Sequence, residues 1–263
     1  MIRSPLGLRL DSSGRIKEQI REAATAGAKG VLLDASGLLA PDQLSDTGKR
    51  ELRHTLRSCE LELIGLNLPT RRPFDDLDRL EDRLARADRA FALAYELGTR
   101  LVIAQAVGGL PPEAEAVRRS TFATAVRELG IRADHRGVTF ALGTGTEPGR
   151  ELASFLIGLD LPTLAANVDP FALVKRGVDP VVAVTELGKL VAHVFASDGA
   201  AGSVGQGVAN PRGFGFAPGV LDWEAFLGSL EEVDYRGYLT VWPRPEASAV
   251  AEFQAVADWL KRF

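Results

Sequence analysis

Eight residues stand where short apolar runs of the chain end: Asp11, Asp34, Asn67, Gln105, Gly143, Asp169, Phe195 and Trp242. Carboxylates at strand ends can work as acid–base groups or offer oxygens to a hard cation. Amides such as Asn67 and Gln105 can hydrogen-bond hydroxyls in both directions. Phe195 and Trp242 can do neither, but they can pack or present an apolar face. Polar residues in such places also satisfy loop backbone or cap the following helix. Asp169 stands out because it follows a buried run and precedes Pro170. Arg71, Arg72, Arg212 and Arg244 also follow strand-like runs. They can clamp a phosphate or carboxylate, or sit solvated beside acids such as Asp75 and Asp76.

The elements that would position these residues alternate along the chain. Leu6–Leu10, Gly30–Asp34, Leu61–Asn67, Arg100–Gln105, Val138–Leu142, Leu164–Val168, Leu190–Ala196 and Tyr238–Trp242 read as strands. Between them lie helical patterns. Ser12-Ser13 offers a cap for a helix to Gly27, followed by helices over Ser45–Cys59 and Asp75–Leu97, the latter ending at Gly98. Pro111-Pro112-Glu113 opens the next helix. Arg150–Leu159, Val181–Gly188, Trp223–Leu230 with Asp222 as its cap, and Ala247–Phe263 complete the set. Strands without polar alternation, joined by helices, predict a parallel sheet buried on both faces. Eight evenly spaced repeats predict a closed (β/α)8 barrel, one domain over residues 1–263, with chemistry at the C-terminal strand ends. Gly199–Val220 is the one long connection, suited to a lid or binding loop.

Composition narrows the class. A net charge of -4 and the lack of a basic run exclude nucleic acid as the expected partner. No apolar stretch approaches a membrane span, and Met1-Ile2-Arg3-Ser4-Pro5 carries no signal-peptide core. A soluble, cytoplasmic protein is the expectation. Cys59 is the single cysteine, so no internal disulfide is available, and its helical setting suits simple packing.

Five motifs fall in order on the later elements. They are Phe140-Ala141-Leu142-Gly143, Asn167-Val168-Asp169-Pro170, His193-Val194-Phe195-Ala196-Ser197-Asp198, Gly219-Val220-Leu221-Asp222-Trp223 and Tyr235-Arg236-Gly237-Tyr238-Leu239-Thr240-Val241-Trp242. Together they resemble the xylose-isomerase-like TIM barrels, the sugar (phosphate) isomerases and epimerases related to endonuclease IV. The resemblance implies a divalent metal such as Mn or Mg, held by two glutamates, an aspartate and a histidine. It stabilises an enediolate while a proton moves between carbons. Those positions fall here on Gly143, Trp242, Asp169 and Phe195, so Asp169 alone keeps a ligand type. No metal is expected at this site, and His193, two residues before the lost histidine, reads as a core residue.

The resulting expectation is an isomerase- or epimerase-like barrel that binds or acts on a sugar- or polyol-like molecule, phosphorylated or not, without the metal. Asp169, Glu147 and Asp198 are the candidate catalytic carboxylates, although Glu147 also reads as a solvated loop residue. Asn67, Gln105, Phe195, Arg212, Trp242 and Arg244 are the candidate substrate contacts. Phe195 and Trp242 are expected to lie together and fill the centre of the mouth. The alternative is a pseudoenzyme serving as a binding or interaction module. A third reading places a metal on residues outside the motif positions. Oligomeric state is not legible, although such barrels often pair through loops.

Overall fold

Continuous apolar runs become strands buried on both faces, as in Gly30–Asp34 and Leu164–Val168, where every residue is buried. The computed structural model describes residues 4–12, 14–104, 109–145, 147–197, 221–243 and 248–263. Its strands are β1 (Leu6–Leu10), β2 (Gly30–Asp34), β3 (Glu62–Leu68), β4 (Leu101–Ala104), β5 (Thr139–Gly143), β6 (Leu164–Val168), β7 (Val191–Ala196) and β8 (Leu239–Val241). The helices among the described residues are α1 (Ile16–Thr25), α2 (Asp46–Ser58), α3 (Leu80–Leu97), α4 (Ala116–Arg136), α5 (Gly149–Gly158), α6 (Pro170–Val174), α7 (Pro180–Leu187), α8 (Trp223–Glu232) and α9 (Ala249–Leu260).

The strands pair in sequence order and in parallel, and β8 returns to β1 through Leu6↔Leu239, Gly7↔Thr240 and Leu8↔Val241. The barrel is therefore closed, as expected. Two hydrophobic clusters follow from closure. The larger lies between the strands and the helix ring. The smaller lies inside the barrel and comprises Leu32, Ile103, Ala141, Ala165, Phe195 and Trp242. At the N-terminal end, Gly7 and Gly30 make room for Ile64. A Cβ on Gly7 would lie 2.2 Å from Ile64 Cδ1, and one on Gly30 2.8 Å from Ile64 Cγ1. A register shift between β6 and β7 pairs Ala166 with Val191 and Asn167 with His193, inserting Ala192 as an extra residue.

Helix ends use local capping. Ser45, Asp179, Asp222 and Ser248 accept backbone N–H groups at the starts of α2, α7, α8 and α9. Gly98 ends α3 in the left-handed conformation, where a side chain would be strained. Cys59 packs partly buried against the main core. No helix among the described residues is long and apolar enough to cross a membrane.

Three helix starts differ from the sequence reading. α1 begins at Ile16 without a side-chain cap, because Ser12 Oγ hydrogen-bonds Ser36 Oγ at 3.0 Å instead. α3 begins at Leu80 rather than Asp75. Asp76 Oδ1 accepts from the Asp78 N–H at 2.9 Å, a local turn that competes with helix, and Arg79 is left-handed. α4 begins at Ala116, since the Pro112 carbonyl closes a turn on the Glu115 N–H. The short helix α6 was not anticipated.

Candidate functional site

β1 brings an arginine into the barrel mouth. Gly7 and Arg9 alternate inward, and Arg9 meets Asp34 at the end of neighbouring β2. Nε donates to Asp34 Oδ1 at 3.1 Å, and Nη2 makes a second, short contact with Oδ2. Asp34 Oδ1 also accepts from Asn67 Nδ2 at 2.7 Å, which ties in β3. Across the seam with β8, the guanidinium carbon of Arg9 lies 4.2 Å from the centroid of Trp242. Desolvation by the neighbouring strands strengthens such a stack. The side chains of Arg9 and Asp34 retain 15% and 8% exposure, so the pair reaches the surface of the mouth.

Beneath that rim the ring contacts continue. Phe195 lies 4.9 Å from Trp242, centroid to centroid, and 4.7 Å from His193. The expected meeting of Phe195 and Trp242 is present. Phe195 is fully buried, so it supports Trp242 from below. His193 is also fully buried. Its Nδ1 sits 2.7 Å from Asn167 Oδ1 and its Nε2 2.8 Å from Thr240 Oγ1. An amide oxygen only accepts, so Nδ1 carries the proton and Nε2 accepts from the threonine hydroxyl. Burial lowers the imidazole pKa to about 3, which keeps it neutral. His193 is thus the core histidine that the sequence suggested.

The carboxylates serve the backbone. Asp169 caps α6, its Oδ1 accepting from the Ala172 N–H at 3.1 Å and from the Ser197 hydroxyl. Burial pushes its carboxyl above the usual carboxylate range, while the bonds from Ser197 and Ala172 pull the other way. Glu147 corrects the sequence reading of a solvated loop residue: it is only 6% exposed. Its Oε1 accepts from the Gly145 N–H at 2.8 Å, and its Oε2 accepts from the Leu110 N–H at 3.1 Å. A Cβ on Gly145 would lie 2.3 Å from Gly109 Cα and 2.4 Å from Glu147 Oε2, so this fold-back requires glycine. The loops after β4 and β5 are pinned together by one side chain.

The other sequence candidates divide sharply. Asn67 and Trp242 line the rim just described. Gln105, Asp198, Arg212 and Arg244 lie outside the described residues. Asp11 accepts from Gln19 Nε2 at 3.2 Å on an exposed surface. Arg72 pairs with Asp76 and Asp78, the solvated arrangement expected beside acidic neighbours. Arg9 was missed altogether. Its signal was its position two residues after the inward Gly7, in a strand otherwise made of leucines.

A sequence model of the xylose isomerase-like TIM barrels matches residues 20–263. This chain belongs to that family. No curated protein sequence matches it. Among solved structures, a xylose isomerase domain protein from Planctomyces limnophilus is similar over 98% of this chain and 95% of that one, with TM-score 0.82 and 19% identity. The 3-keto-D-glucoside 4-epimerase of E. coli matches over 99% and 100%, with TM-score 0.79 and 16% identity. The D-psicose 3-epimerase of Clostridium cellulolyticum H10, solved with D-tagatose, matches over 98% of both chains at TM-score 0.78 and 15% identity. At these identities the likeness is one of fold.

The donor set can be tested against the divalent metal that the family resemblance implies. Gly143, Phe195 and Trp242 supply no ligand atoms, and the Asp169 oxygen that is engaged faces Ser197 and the start of α6. Among the described residues, no group of three or more His, Cys, Asp or Glu side chains is placed to hold a metal ion. These residues do not fit the metal.

Proposed function

We propose that the barrel mouth binds a sugar- or polyol-like small molecule, as an isomerase- or epimerase-like member of its family that works without the divalent metal. The observation that carries this reading is the Arg9–Asp34–Asn67 rim set against Trp242. The ion pair is neutral as a unit, so it favours hydroxyls over free ions. It still has directional capacity: Arg9 Nη1 makes no hydrogen bond among the described residues, and buried Asn67 Oδ1 has no partner there. A carbohydrate needs donors and acceptors side by side and an apolar surface for its C–H face, which Trp242 supplies. Two of the structural neighbours are named as sugar epimerases, in keeping with this ligand class.

A second reading is favoured by the carboxylates. Moving a proton beside a carbonyl needs a positioned base within hydrogen-bond reach. Asp169 and Glu147 are already committed to backbone N–H groups. On that reading the chain is a carbohydrate-binding module without turnover. Calorimetric titration with ketoses and inositols, together with turnover assays with and without a chelator, separates the two. Binding with chelator-resistant turnover supports the metal-free enzyme, and binding alone supports the module. Turnover that requires added Mn²⁺, or no saturable binding by any compound, would overturn the proposal.

A further inference from the structure

The end of the barrel opposite the mouth holds a cleft of about 620 Å³. It lies at the starts of β3, β4 and β5, beside Ala192, the extra residue of β7. Leu101 and Ala192, only partly buried, pack there against the inner apolar cluster, so the cleft opens onto the lowest layer of the barrel interior. Its size falls within the ~300–1,000 Å³ usual for small-molecule sites.

The charged lining is lopsided: Arg53, Arg57 and Arg100 against one acid, Glu62. That acid is engaged, accepting from the Tyr238 hydroxyl at 2.6 Å. The arginines have no carboxylate partner among the described residues. Arg53 Nη1 donates to the Glu96 carbonyl at 3.3 Å, Arg100 stacks 4.3 Å from the Tyr95 centroid, and the Arg57 guanidinium makes no ion pair or hydrogen bond among the described residues. Elsewhere on the helix ring Arg118, Arg132 and Arg136 are bound to carboxylates, while Arg127 and Arg176 donate to backbone carbonyls as Arg53 does; the cleft differs in gathering three such arginines in one place. In a chain with 35 acidic residues and 31 basic ones, three arginines left without an acid around one cleft leave local positive charge to be neutralised.

We infer that this cleft is a second ligand site, separate from the mouth, which takes a small organic phosphate. Guanidinium groups match phosphate oxygens in geometry and charge. The apolar floor formed by Leu63, Leu101 and Ala192 suits the organic body of the ligand. A phosphate alone would leave that floor wet, and an apolar body alone would leave the arginines without an anion.

The test is calorimetric titration of the full chain at low ionic strength with phenyl phosphate, inorganic phosphate and phenol. The expected result is one phenyl phosphate per chain, bound more tightly than either half, with affinity falling as salt is raised. Arg57→Gln and Arg100→Gln should each weaken it by roughly tenfold, the loss of one charge-assisted contact. Arg118→Gln, on a paired arginine at the other end of α4, should leave it unchanged. Arg57 is exposed and its guanidinium makes no hydrogen bond or ion pair among the described residues, so this variant keeps the fold, and thermal melting verifies that. No saturable binding, equal binding of phenol, or affinity unchanged in the Arg57→Gln/Arg100→Gln double variant would each overturn the inference.

Discussion

Arg9 and Trp242 face each other across the seam that closes the barrel, with the guanidinium carbon 4.2 Å from the indole centroid. The same guanidinium grips Asp34 through two nitrogens, so one side chain joins β8, β1 and β2. Replacing it with methionine keeps much of the bulk but leaves Asp34 largely buried without its counter-charge. Arg9→Met should cost about 3 kcal/mol, the penalty for breaking a buried pair from one side. Urea denaturation followed by tryptophan fluorescence measures it. The double variant Arg9→Met/Asp34→Leu should recover part of the loss, and failure to recover any would point away from the orphaned charge.

Glu147 offers a second test. Glutamine at this position retains one oxygen, so either the Gly145 or the Leu110 N–H meets an amide NH₂ instead. Glu147→Gln should destabilise by about 1–3 kcal/mol, the cost of one unsatisfied buried donor. Hydrogen exchange should speed up at both amides, and a change at only one loop would contradict the pinning described above.

Acid stability should report His193. Its pKa falls from the model-peptide value near 6.5 to about 3 on folding, because burial disfavours the cation. The unfolded chain therefore binds a proton that the native chain refuses between those values. Stability from this group is complete above pH 6.5 and drains away as pH falls towards 3, at about 1.4 kcal/mol per pH unit. Asp169, whose carboxyl is raised by burial, has the opposite sign: its protonated form favours the fold, and that contribution is lost as pH rises above the ordinary carboxylate value. Comparing the wild type with His193→Gln between pH 7 and pH 4.5 isolates the histidine. The variant should show the shallower decline, and parallel curves would dismiss the assignment.

Trp242→Glu addresses the metal. The substitution restores one carboxylate to a family ligand position while removing an aromatic ring that packs on Phe195 and Arg9. It should cost about 3 kcal/mol or more, in the range for deleting a buried aromatic. It should create no Mn²⁺ affinity, because Gly143 and Phe195 remain without donor atoms. Saturable Mn²⁺ binding by this variant, read by calorimetry, would show that the remaining residues can still complete a metal site and would overturn the mismatch described above.

The strands were legible because a doubly buried strand needs an unbroken apolar run, and Gly30–Asp34 and Leu164–Val168 can be little else. The contact between Phe195 and Trp242 was legible from parity and volume. Arg9 was not, because an arginine between two leucines reads as a tolerated interruption until pairing with β2 supplies Asp34 and closure by β8 supplies Trp242 as partners. The fates of Asp169 and Glu147 were hidden for a different reason. Loop backbone competes with any ligand for a carboxylate, and which side wins depends on turn geometry such as the glycine requirement at Gly145. Helix starts at Leu80 and Ala116 slipped for the same local cause.

The closing contact also bears on how the chain reaches its native state. Arg9 and Asp34 belong to the first two strands, whereas Trp242 belongs to the last, so the stack forms only when nearly the whole sequence is in place. Contacts this distant in sequence are slow to form, because loop entropy must be overcome before they contribute. Until β8 docks, the first strand has an open edge and its arginine lacks the ring that shields it. A nascent or truncated chain lacking the last strand would therefore expose a pairing edge to other molecules, and ring closure by β8 protects the chain from aggregation as well as completing the site.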